Sequence, residues 1–461
     1  MSAGSEVLEV YIGTHTKVAR IVLLAQSQDQ LSWYYESSWI ENGFTVAPSL
    51  PLSGQISSQA VKNFLQNLLP EGQGLDDIVG QSRLSKNNVF GLIRIIGHET
   101  TGALTFRTPT MAIPESVFRK ISEEELATRL ARVKFGEPIT YWDGKTRLSV
   151  AGVQDKLNLL QLNGNIGFGE GELCSNYIYK FETGKVPFIV VNECFTMLLA
   201  NNSGIDVPQV NMCTIGSTKA LVIKRFDRQY YKQKDEMLGI MKRRHVIDGC
   251  QACALPPSFK YERQFGDEGD GVYIRDGVSF EKLMSLEVED RQAYLLKMIQ
   301  WLTFNIVNGN YDAHGKNISF FVDKKGLTLA PFYDLVNIEA LIQQVEMHGG
   351  TSSFGSSRSF AMSVGEYEQG TKGNFDHPIT AFMLADFASC FDISLARMQL
   401  VMKQLLENII NHIERTFEQL RAYSLNDDEI VHVQLCIDVI RKNACALQSE
   451  VDQLPMMADL V

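Results

Sequence analysis

Apolar and polar residues alternate with a period near two through much of the first hundred residues. "EVLEVYIG", "VARIVLLA" and "LSWYYES" predict strands, and "SSQAVKNFLQNLL" has the spacing of a helix. "NVFGLIRIIGHETTGALTF" predicts a helix that gives way, through Gly97 and Gly102, to a further strand. We therefore expect a first subdomain over residues 1–113, followed by a proline-containing connection.

A second pattern covers residues 146–255, where glycine interrupts strand-like stretches around one helix. "KLNLLQLNGNIGFGEGE", "SNYIYKFE" and "TKALVIKRFDR" predict strands, and "PFIVVNECFTMLLANNSG" predicts a helix with Gly204 near its C-cap. Upstream, "ISEEELATRLARV" predicts a helix whose acidic start suits the positive end of the helix dipole. We expect a mixed α/β lobe here.

Residues 256–461 change to a helical period. "SFEKLMSLEVEDRQAYLLKMIQWLTFNIVNG", "LARMQLVMKQLLENIINHIERTFEQLRAY" and "DDEIVHVQLCIDVIRKNACALQSEV" predict helices. The predicted fold class is α+β, with a mixed α/β N-terminal part and a mainly helical C-terminal lobe.

Composition narrows the possible environments. The chain has 461 residues, a hydrophobic fraction of 45% and a net charge of −11, which argues against a surface that grips nucleic acid directly. No window has the apolar run of a membrane span and the start lacks the pattern of an export signal, so we expect a cytoplasmic protein without membrane contact. The basic cluster from Lys242 to His245 is interpreted as a solvated face. Cys250 and Cys253 form a C-x-x-C near it, which we interpret as core cysteines rather than a zinc site, since further ligands are missing.

The most concentrated chemistry lies in "NGNYDAHGKNISFF", residues 308–321. Asp312 and Asn317 have the D-x-x-x-x-N spacing of a protein-kinase catalytic loop, and "LTLAPFYDLVN" supplies Asp334 after a predicted strand. Phosphoryl transfer depends on positioning and on neutralising charge with Mg²⁺, which prefers oxygen ligands. Asn317 and Asp334 fit a metal site, and Asp312 could then orient the acceptor hydroxyl. Asp, Asn and Gly are also common turn residues, so the spacing alone would indicate a turn.

A nucleotide would need a cation on a strand and a loop that approaches phosphates. Lys180 in "NYIYKFE" is the candidate cation, with an edge-strand lysine as the alternative, and Glu193 on the next helix is its candidate partner. "GFGEGE" is too acidic for a triphosphate and predicts a hairpin or loop. "LSVAGVQDK" has small residues around Gly152, but it lacks the motif of a P-loop NTPase.

Together, "SVAGVQDKL", "LVIKRFDR", "NGNYDAHGKNISFF" and "LAPFYDLVN" resemble the HipA family of bacterial serine/threonine kinase toxins, in that order along the chain. "IGHETTGALTF" is similar to the segment that closes the family's N-terminal subdomain, so the resemblance covers nearly the whole chain. It implies a two-lobed protein-kinase-like fold, with a HipA N-terminal-like subdomain over residues 1–113, a nucleotide-binding lobe over 146–255 and a catalytic lobe over 256–461.

The resemblance also implies roles for individual residues. Asp312 would be the catalytic aspartate, Asn317 and Asp334 would bind Mg²⁺, and Lys180 would hold the α- and β-phosphates of ATP. Lys224 stands in the hinge where the best-known members carry an acidic residue. Ser149 would also be the site of an inactivating autophosphorylation. The implied ATP-binding residues are Ser149, Val150, Ala151, Gly152, Val153, Lys180, Ile223, Lys224, Phe226, His314 and Lys316.

Partners follow from the same resemblance. HipA proteins are usually encoded with HipB, a helix-turn-helix antitoxin that would make the DNA contact, and family substrates include aminoacyl-tRNA synthetases. We therefore expect an ATP-dependent toxin kinase that phosphorylates a protein of translation. The alternatives are a catalytically idle co-repressor or scaffold, and a kinase for a lipid or small molecule.

Overall fold

The structure is a computed structural model that describes residues 6–24, 30–133, 135–147, 154–232, 239–266, 269–350, 358–365 and 379–461. It divides into two compact units. Unit 1 consists of Met1–Thr183, Thr214–Pro257 and Ser319–Ala330, and unit 2 consists of Gly184–Cys213, Ser258–Ile318 and Pro331–Val461. Both units are therefore assembled from separate stretches of chain, and the three-domain division at residues 113, 146 and 255 remains a prediction.

The strands lie mainly in the first 250 residues. They are β1 Glu6–Ile12, β2 Thr16–Leu23, β3 Leu31–Tyr35, β4 Leu104–Arg107, β5 Val117–Ile121, β6 Tyr141–Trp142, β7 Lys145–Thr146, β8 Lys156–Leu162, β9 Asn165–Glu170, β10 Tyr177–Phe181, β11 Val210–Ile215, β12 Thr218–Lys224, β13 Arg228–Tyr231, β14 Ile240–Arg243, β15 Val246–Asp248, β16 Ser319–Asp323 and β17 Gly326–Leu329.

The longest helices lie in the last third of the chain. The α-helices are α1 Ser37–Asn42, α2 Ser58–Gln66, α3 Gln73–Ser82, α4 Val89–Ile96, α5 Glu123–Val133, α6 Ile189–Asn202, α7 Gly249–Ala252, α8 Phe280–Met284, α9 Arg291–Asn308, α10 Ile338–Met347, α11 Ala381–Cys390, α12 Leu395–Arg421 and α13 Asp427–Gln453. A short 3₁₀ turn covers Gly315–Asn317. The α+β class predicted from the sequence is confirmed.

Antiparallel sheets form the frame of unit 1. One sheet has the strand order β3-β2-β1-β4, and another contains the order β12-β10-β8-β9-β5. Along β10, Tyr179 and Phe181 belong to a core cluster with Leu157 and Leu159 of β8. Because successive strand residues face opposite sides, Lys180 lies on the other face of this sheet. The same alternation that predicts the strand therefore places Tyr179 and Phe181 on the core face and Lys180 on the opposite face.

Helices form the frame of unit 2, with α9 packed against α12 and α13. Twelve of the eighteen residues of α9 are buried, from Tyr294 to Asn308, so most of its circumference is covered. A helix buried in this way lies inside a bundle rather than on its surface. Its C-terminal end delivers the polar segment 308–317 to the interior of unit 2.

Several elements lie where the hydrophobic pattern predicted them, including α2, α5, α6, β10 and β16. The interpretation of residues 242–245 as a solvated face is wrong at its last position. Lys242 and Arg244 are exposed, but His245 is buried, and its Nε2 lies 2.8 Å from the carbonyl oxygen of Val46. A contact 199 residues away in sequence cannot be seen in a local charge pattern. Among the helices in the described ranges, none has the length and apolarity needed to cross a bilayer.

Candidate active site

The polar segment begins where α9 ends. Asp290 caps the start of this helix by accepting a hydrogen bond from the backbone N–H of Ala293 at 2.9 Å. At the other end Gly309 has a φ of 60°, and a Cβ there would lie 2.8 Å from the Cβ of Glu339. Glycine therefore serves two needs at Gly309, a left-handed helix end and a close approach to α10.

Side-chain amides fix the shape of the loop that follows. The Asn310 Nδ2 donates to Asn305 Oδ1 at 2.8 Å, while Asn310 Oδ1 accepts from the backbone N–H of Asp312 at 3.2 Å. The Asn317 Nδ2 donates to the backbone carbonyl of Asp312 at 2.8 Å. The two ends of the D-x-x-x-x-N motif are thus tied directly to each other, and the oxygen of the Asn317 amide points away from that bond.

The carboxylate of Asp312 is partly open, with 39% of its side chain exposed. Its Oδ1 accepts a hydrogen bond of 2.6 Å from the hydroxyl of Tyr261 and lies 4.0 Å from the Nε2 of His314. The Tyr261 and His314 rings meet edge to face, with centroids 5.0 Å apart. Sequence reasoning did not single out Tyr261, because it lies 51 positions before Asp312 and has no motif around it.

His314 and Lys316 are buried, in contrast to Asp312. The Nδ1 of His314 accepts from the backbone N–H of Lys316 at 3.3 Å, so the neutral ring carries its proton on Nε2, toward Asp312. Tyr333 donates its hydroxyl proton to the carbonyl of Lys316 at 2.7 Å. This bond links the loop to the residue immediately before Asp334, so two segments that are separate in sequence meet in unit 2.

Helix α6 holds the segment that carries Asp334. The Asn192 side chain accepts from the backbone N–H of Asn337 at 2.8 Å and donates to its carbonyl at 3.0 Å. Thr196 donates to the carbonyl of Leu335. Asp334 itself has a φ of 55°, a conformation that non-glycine residues seldom adopt and that persists only where its surroundings enforce it. Asn192 and Thr196 supply that enforcement, and neither was predicted from the sequence.

The donor chemistry of unit 2 fits Mg²⁺. Asn317 offers an amide oxygen and Asp334 a carboxylate, both hard oxygen donors of the kind that magnesium uses together with phosphate oxygens and water. Within the described ranges, no group of three or more His, Cys, Asp or Glu side chains is arranged to hold a metal ion. Asn317 and Asp334 remain the predicted pair of magnesium ligands.

In unit 1, Lys180 has a cationic neighbour that the predicted site did not include. Lys180 pairs directly with Lys156 across β10 and β8, and both side chains are buried, at 8% and 4% exposure. Two buried cations at directly opposed positions repel each other and need anionic company. Glu193, the predicted partner of Lys180, belongs to unit 2, and that ion pair remains a prediction.

The predicted hinge lies at the end of β12 in unit 1. Ile223 is buried, Lys224 is exposed and Phe226 packs edge to face on Phe321, with ring centroids 5.7 Å apart. The backbone N–H of Arg225 donates to the carbonyl of Asn176 at 2.9 Å. Phe226 is partly buried and packs against an apolar cluster of Val246, Phe321 and Ala330.

Arg225, Asp227 and Arg228 of "KRFDR" form a buried ion-pair cluster. Arg225 binds both oxygens of Asp227 at 2.9 Å, and Arg228 reaches one of them at 2.6 Å. Arg228 also donates to the carbonyl of Thr100, and the backbone N–H of Gly102 donates to Asp227. "KRFDR" is thereby fastened to the "HETTG" turn.

Ionisation in this buried cluster is set by pairing. Burial alone would raise the pKa of Asp227, but the positive charges of Arg225 and Arg228 outweigh it and hold that pKa well below its usual range. Burial would likewise lower the pKa of Arg225, which Asp227 and Glu99 raise instead. Asp227 is therefore a permanently charged structural residue.

Ser149, Val150, Ala151, Gly152 and Val153 lie outside the described residues. "GFGEGE", predicted as a hairpin or loop, forms the last four residues of β9 and the two-residue turn after it.

Comparisons with known proteins agree with this architecture. A model of the HipA-like C-terminal domain matches residues 148–420, and a model of the HipA N-terminal domain matches residues 8–107. The serine/threonine-protein kinase toxin HipA of Shewanella oneidensis is 43% identical over 313 residues, which cover 68% of this chain and 71% of that protein. The putative kinase Y4mE of Sinorhizobium fredii is 30% identical over 319 residues, covering 67% and 73%.

A solved complex of HipA, HipB and operator DNA from Shewanella oneidensis MR-1 contains a chain of the same fold. The TM-score is 0.83 at 34% sequence identity, and the match covers 97% of this chain and 99% of the solved one. The family resemblance and the protein-kinase-like fold class predicted from the sequence are confirmed. The chain therefore belongs to the HipA family of serine/threonine-protein kinase toxins.

Proposed function

We propose that this kinase transfers the γ-phosphoryl group of ATP to a serine or threonine of a protein, with Asp312 as the catalytic carboxylate. The observation that carries the proposal is the loop of unit 2, in which Asn310 and Asn317 hold the backbone of Asp312 while its carboxylate stays partly open. Asp312 orients the acceptor hydroxyl and takes its proton as the oxygen bonds to phosphorus.

Asn317 and Asp334 would hold Mg²⁺ through their oxygens. The ion neutralises the charge of the phosphates when it is bound. Asn317 suits this task because its amide nitrogen is committed to the Asp312 carbonyl, which orients the oxygen. Asp334 suits it because α6 and Tyr333 fix the chain on either side of it.

Each residue proposed to contact the nucleotide is assigned by itself. Lys180 and Lys156 would hold phosphates, and Ile223, Lys224 and Phe226 would border the adenine ring. The remaining proposed ATP-binding residues are His314, Lys316 and residues 149–153. The presence of Lys180, Asp312, Asn317 and Asp334 in one chain favours an active enzyme over an idle scaffold.

Replacement of Asp312 tests the proposal directly. Asp312→Asn keeps the size of the side chain but removes the base, so labelled phosphate transfer from Mg·ATP into protein should fall roughly 10²- to 10⁴-fold. Asp276→Asn, which changes an exposed aspartate of unit 2, is the matched control. Transfer by Asp312→Asn at the rate of the control would reject Asp312 as the catalytic carboxylate.

We further propose that autophosphorylation of Ser149 switches the kinase off. A phosphate carries about −1.5 to −2 charges and would repel a bound triphosphate. Incubation with Mg·ATP, followed by mass spectrometry and nucleotide titration, should find phospho-Ser149 and a lower affinity for ATP. An unmodified Ser149 in an active preparation, or unchanged affinity after modification, would contradict the switch.

A helix-turn-helix antitoxin of the HipB type is the proposed partner, and a protein of translation such as an aminoacyl-tRNA synthetase is the proposed substrate. The net charge of −11 supports DNA contact through a partner rather than by this chain. In a gel-shift assay, the chain should retard operator DNA only together with the antitoxin. Retardation by the chain alone would overturn this arrangement.

A further inference from the structure

Tyr261 stands apart from the motifs that define the site, yet its hydroxyl donates to Asp312 Oδ1 at 2.6 Å. We propose that Tyr261 is a positioning residue, which fixes the plane of the Asp312 carboxylate so that its second oxygen faces the acceptor hydroxyl. This inference rests on the proposed function of Asp312. A hydrogen bond to one carboxylate oxygen restricts rotation of the group, and orientation is a large part of what a phosphotransferase supplies.

The backbone around Tyr261 is fixed on three sides. Lys260 accepts from the backbone N–H of Gly315 at 2.8 Å, which attaches the segment to the catalytic loop itself. Glu262 accepts from Gly277 N–H at 3.0 Å, and Phe259 accepts from Val278 N–H at 2.8 Å. The backbone on both sides of Tyr261 is therefore held by hydrogen bonds, one of them with the catalytic loop.

Close packing reinforces this arrangement. A Cβ at Gly277 would lie 1.7 Å from the carbonyl oxygen of Tyr261, and a Cβ at Gly315 would lie 2.6 Å from the Val278 side chain. The ring of Tyr261 also packs edge to face on the buried His314. The ring and hydroxyl of Tyr261 thus hold Asp312 in addition to its attachment through Asn310 and Asn317.

The burial of Glu262 gives the segment a further anchor. Its carboxylate accepts from Arg275 and from the backbone N–H of Ser363. A buried carboxylate with such partners does not leave its place without a large loss of stability. These contacts of Glu262 therefore hold the segment that carries Tyr261 in place.

The test is Tyr261→Phe, which removes only the hydroxyl, with Tyr273→Phe at an exposed tyrosine of unit 2 as the control. Labelled transfer from Mg·ATP into a clarified bacterial lysate should fall roughly 10- to 100-fold at saturating ATP, the range expected for a lost hydrogen bond to a charged group. The ATP concentration at half-maximal rate should stay within about twofold, since the tyrosine acts on the acceptor side.

A double variant separates positioning from simple structural support. In the Asp312→Asn background, Tyr261→Phe should cause no further loss, because its effect passes through the carboxylate. An unchanged rate for Tyr261→Phe, an increased rate, or a loss matched by weaker ATP binding would overturn the inference. If Asp312→Asn itself stays active, the proposed function fails; if only Tyr261→Phe is normal, this inference alone fails.

Discussion

Two aspartates of this kinase lie in short polar motifs, and the structure treats them in opposite ways. Asp227 in "KRFDR" is buried, and both of its oxygens bind arginines. Asp312 in "NYDAHGKN" is partly exposed, and its Oδ1 accepts a hydrogen bond from the hydroxyl of Tyr261. The first charge is neutralised inside the protein, whereas the second faces solvent.

The comparison shows how a carboxylate that stabilises the fold differs from one that is proposed to take part in the reaction. Pairing with two arginines keeps Asp227 ionised inside the protein, whereas the Asp312 carboxylate stays partly exposed. In the sequence, both motifs place an Asp near basic residues. Burial and pairing with arginines, which the motif does not show, distinguish Asp227 from Asp312.

Matched Asp→Asn substitutions should give opposite results at the two positions. Asp227→Asn leaves Arg225 and Arg228 buried beside a neutral amide, so the free energy of unfolding should fall by roughly 3–5 kcal/mol. Asp312→Asn should change it by less than about 1 kcal/mol while lowering transfer roughly 10²- to 10⁴-fold. Urea unfolding and labelled transfer measure the two effects. An Asp227→Asn protein as stable as the unaltered chain would contradict the structural role of Asp227.

Buried histidines provide a pH test in each unit. Burial lowers the pKa of His245 in unit 1 and of His432 in unit 2 to about 4, from 6.5. The unfolded chain therefore takes up the proton first as pH falls. Stability should be unaffected above about pH 7 and should decrease between about pH 6.5 and pH 4, with a loss of about 2 kcal/mol per histidine at pH 5.

Glutamine variants isolate these contributions. His245→Gln keeps a donor toward the Val46 carbonyl, and His432→Gln keeps an acceptor toward Asn192, whose Nδ2 lies 3.0 Å from the His432 Nε2. Each variant should unfold in urea with a weaker dependence on pH than the unaltered chain. His348→Gln, at an exposed histidine, is the control. If unfolding of all three variants depended equally on pH, the result would contradict the conclusion that the buried rings of His245 and His432 are neutral.

Asp334→Ala tests whether the Asp334 carboxylate of unit 2 binds the metal ion. We expect the affinity for Mg·ATP to fall at least about tenfold, with a much smaller loss for ATP without metal, because the proposed bond is to the ion. Calorimetric titration with and without Mg²⁺ gives both values. Equal losses would place Asp334 with Asp227, as a structural residue of the loop.

The smallest effect is expected at an exposed ion pair. Arg441 and Glu414 lie 2.5 Å apart between α13 and α12, with side chains 49% and 72% exposed. Glu414→Gln should change the free energy of unfolding by at most about 1 kcal/mol, because water and salt screen the pair. A loss comparable to that of Asp227→Asn would show that burial is not what separates strong pairs from weak ones.

Local sequence information supplied most of the candidate site residues. The spacing of Asp312 and Asn317, the later Asp334, and the strand position of Lys180 depend on residues close together in the chain, and the structure places the first three in unit 2 and Lys180 on a sheet in unit 1. Tyr261 and Asn192 could not be predicted in this way. Their partners lie 51 and 145 positions away, so no periodicity or motif marks them.

The sequence by itself determined the strands and helices, the family and the order of the motifs, because hydrophobic period and short spacings are local properties of a chain. Only the tertiary structure decided what each charge does. It buried His245 and Asp227, placed Lys156 opposite Lys180, and brought the Tyr261 hydroxyl to Asp312. Desolvation and hydrogen bonding act between groups that folding brings together, so the role of a charged residue depends on neighbours that its own stretch of sequence does not contain.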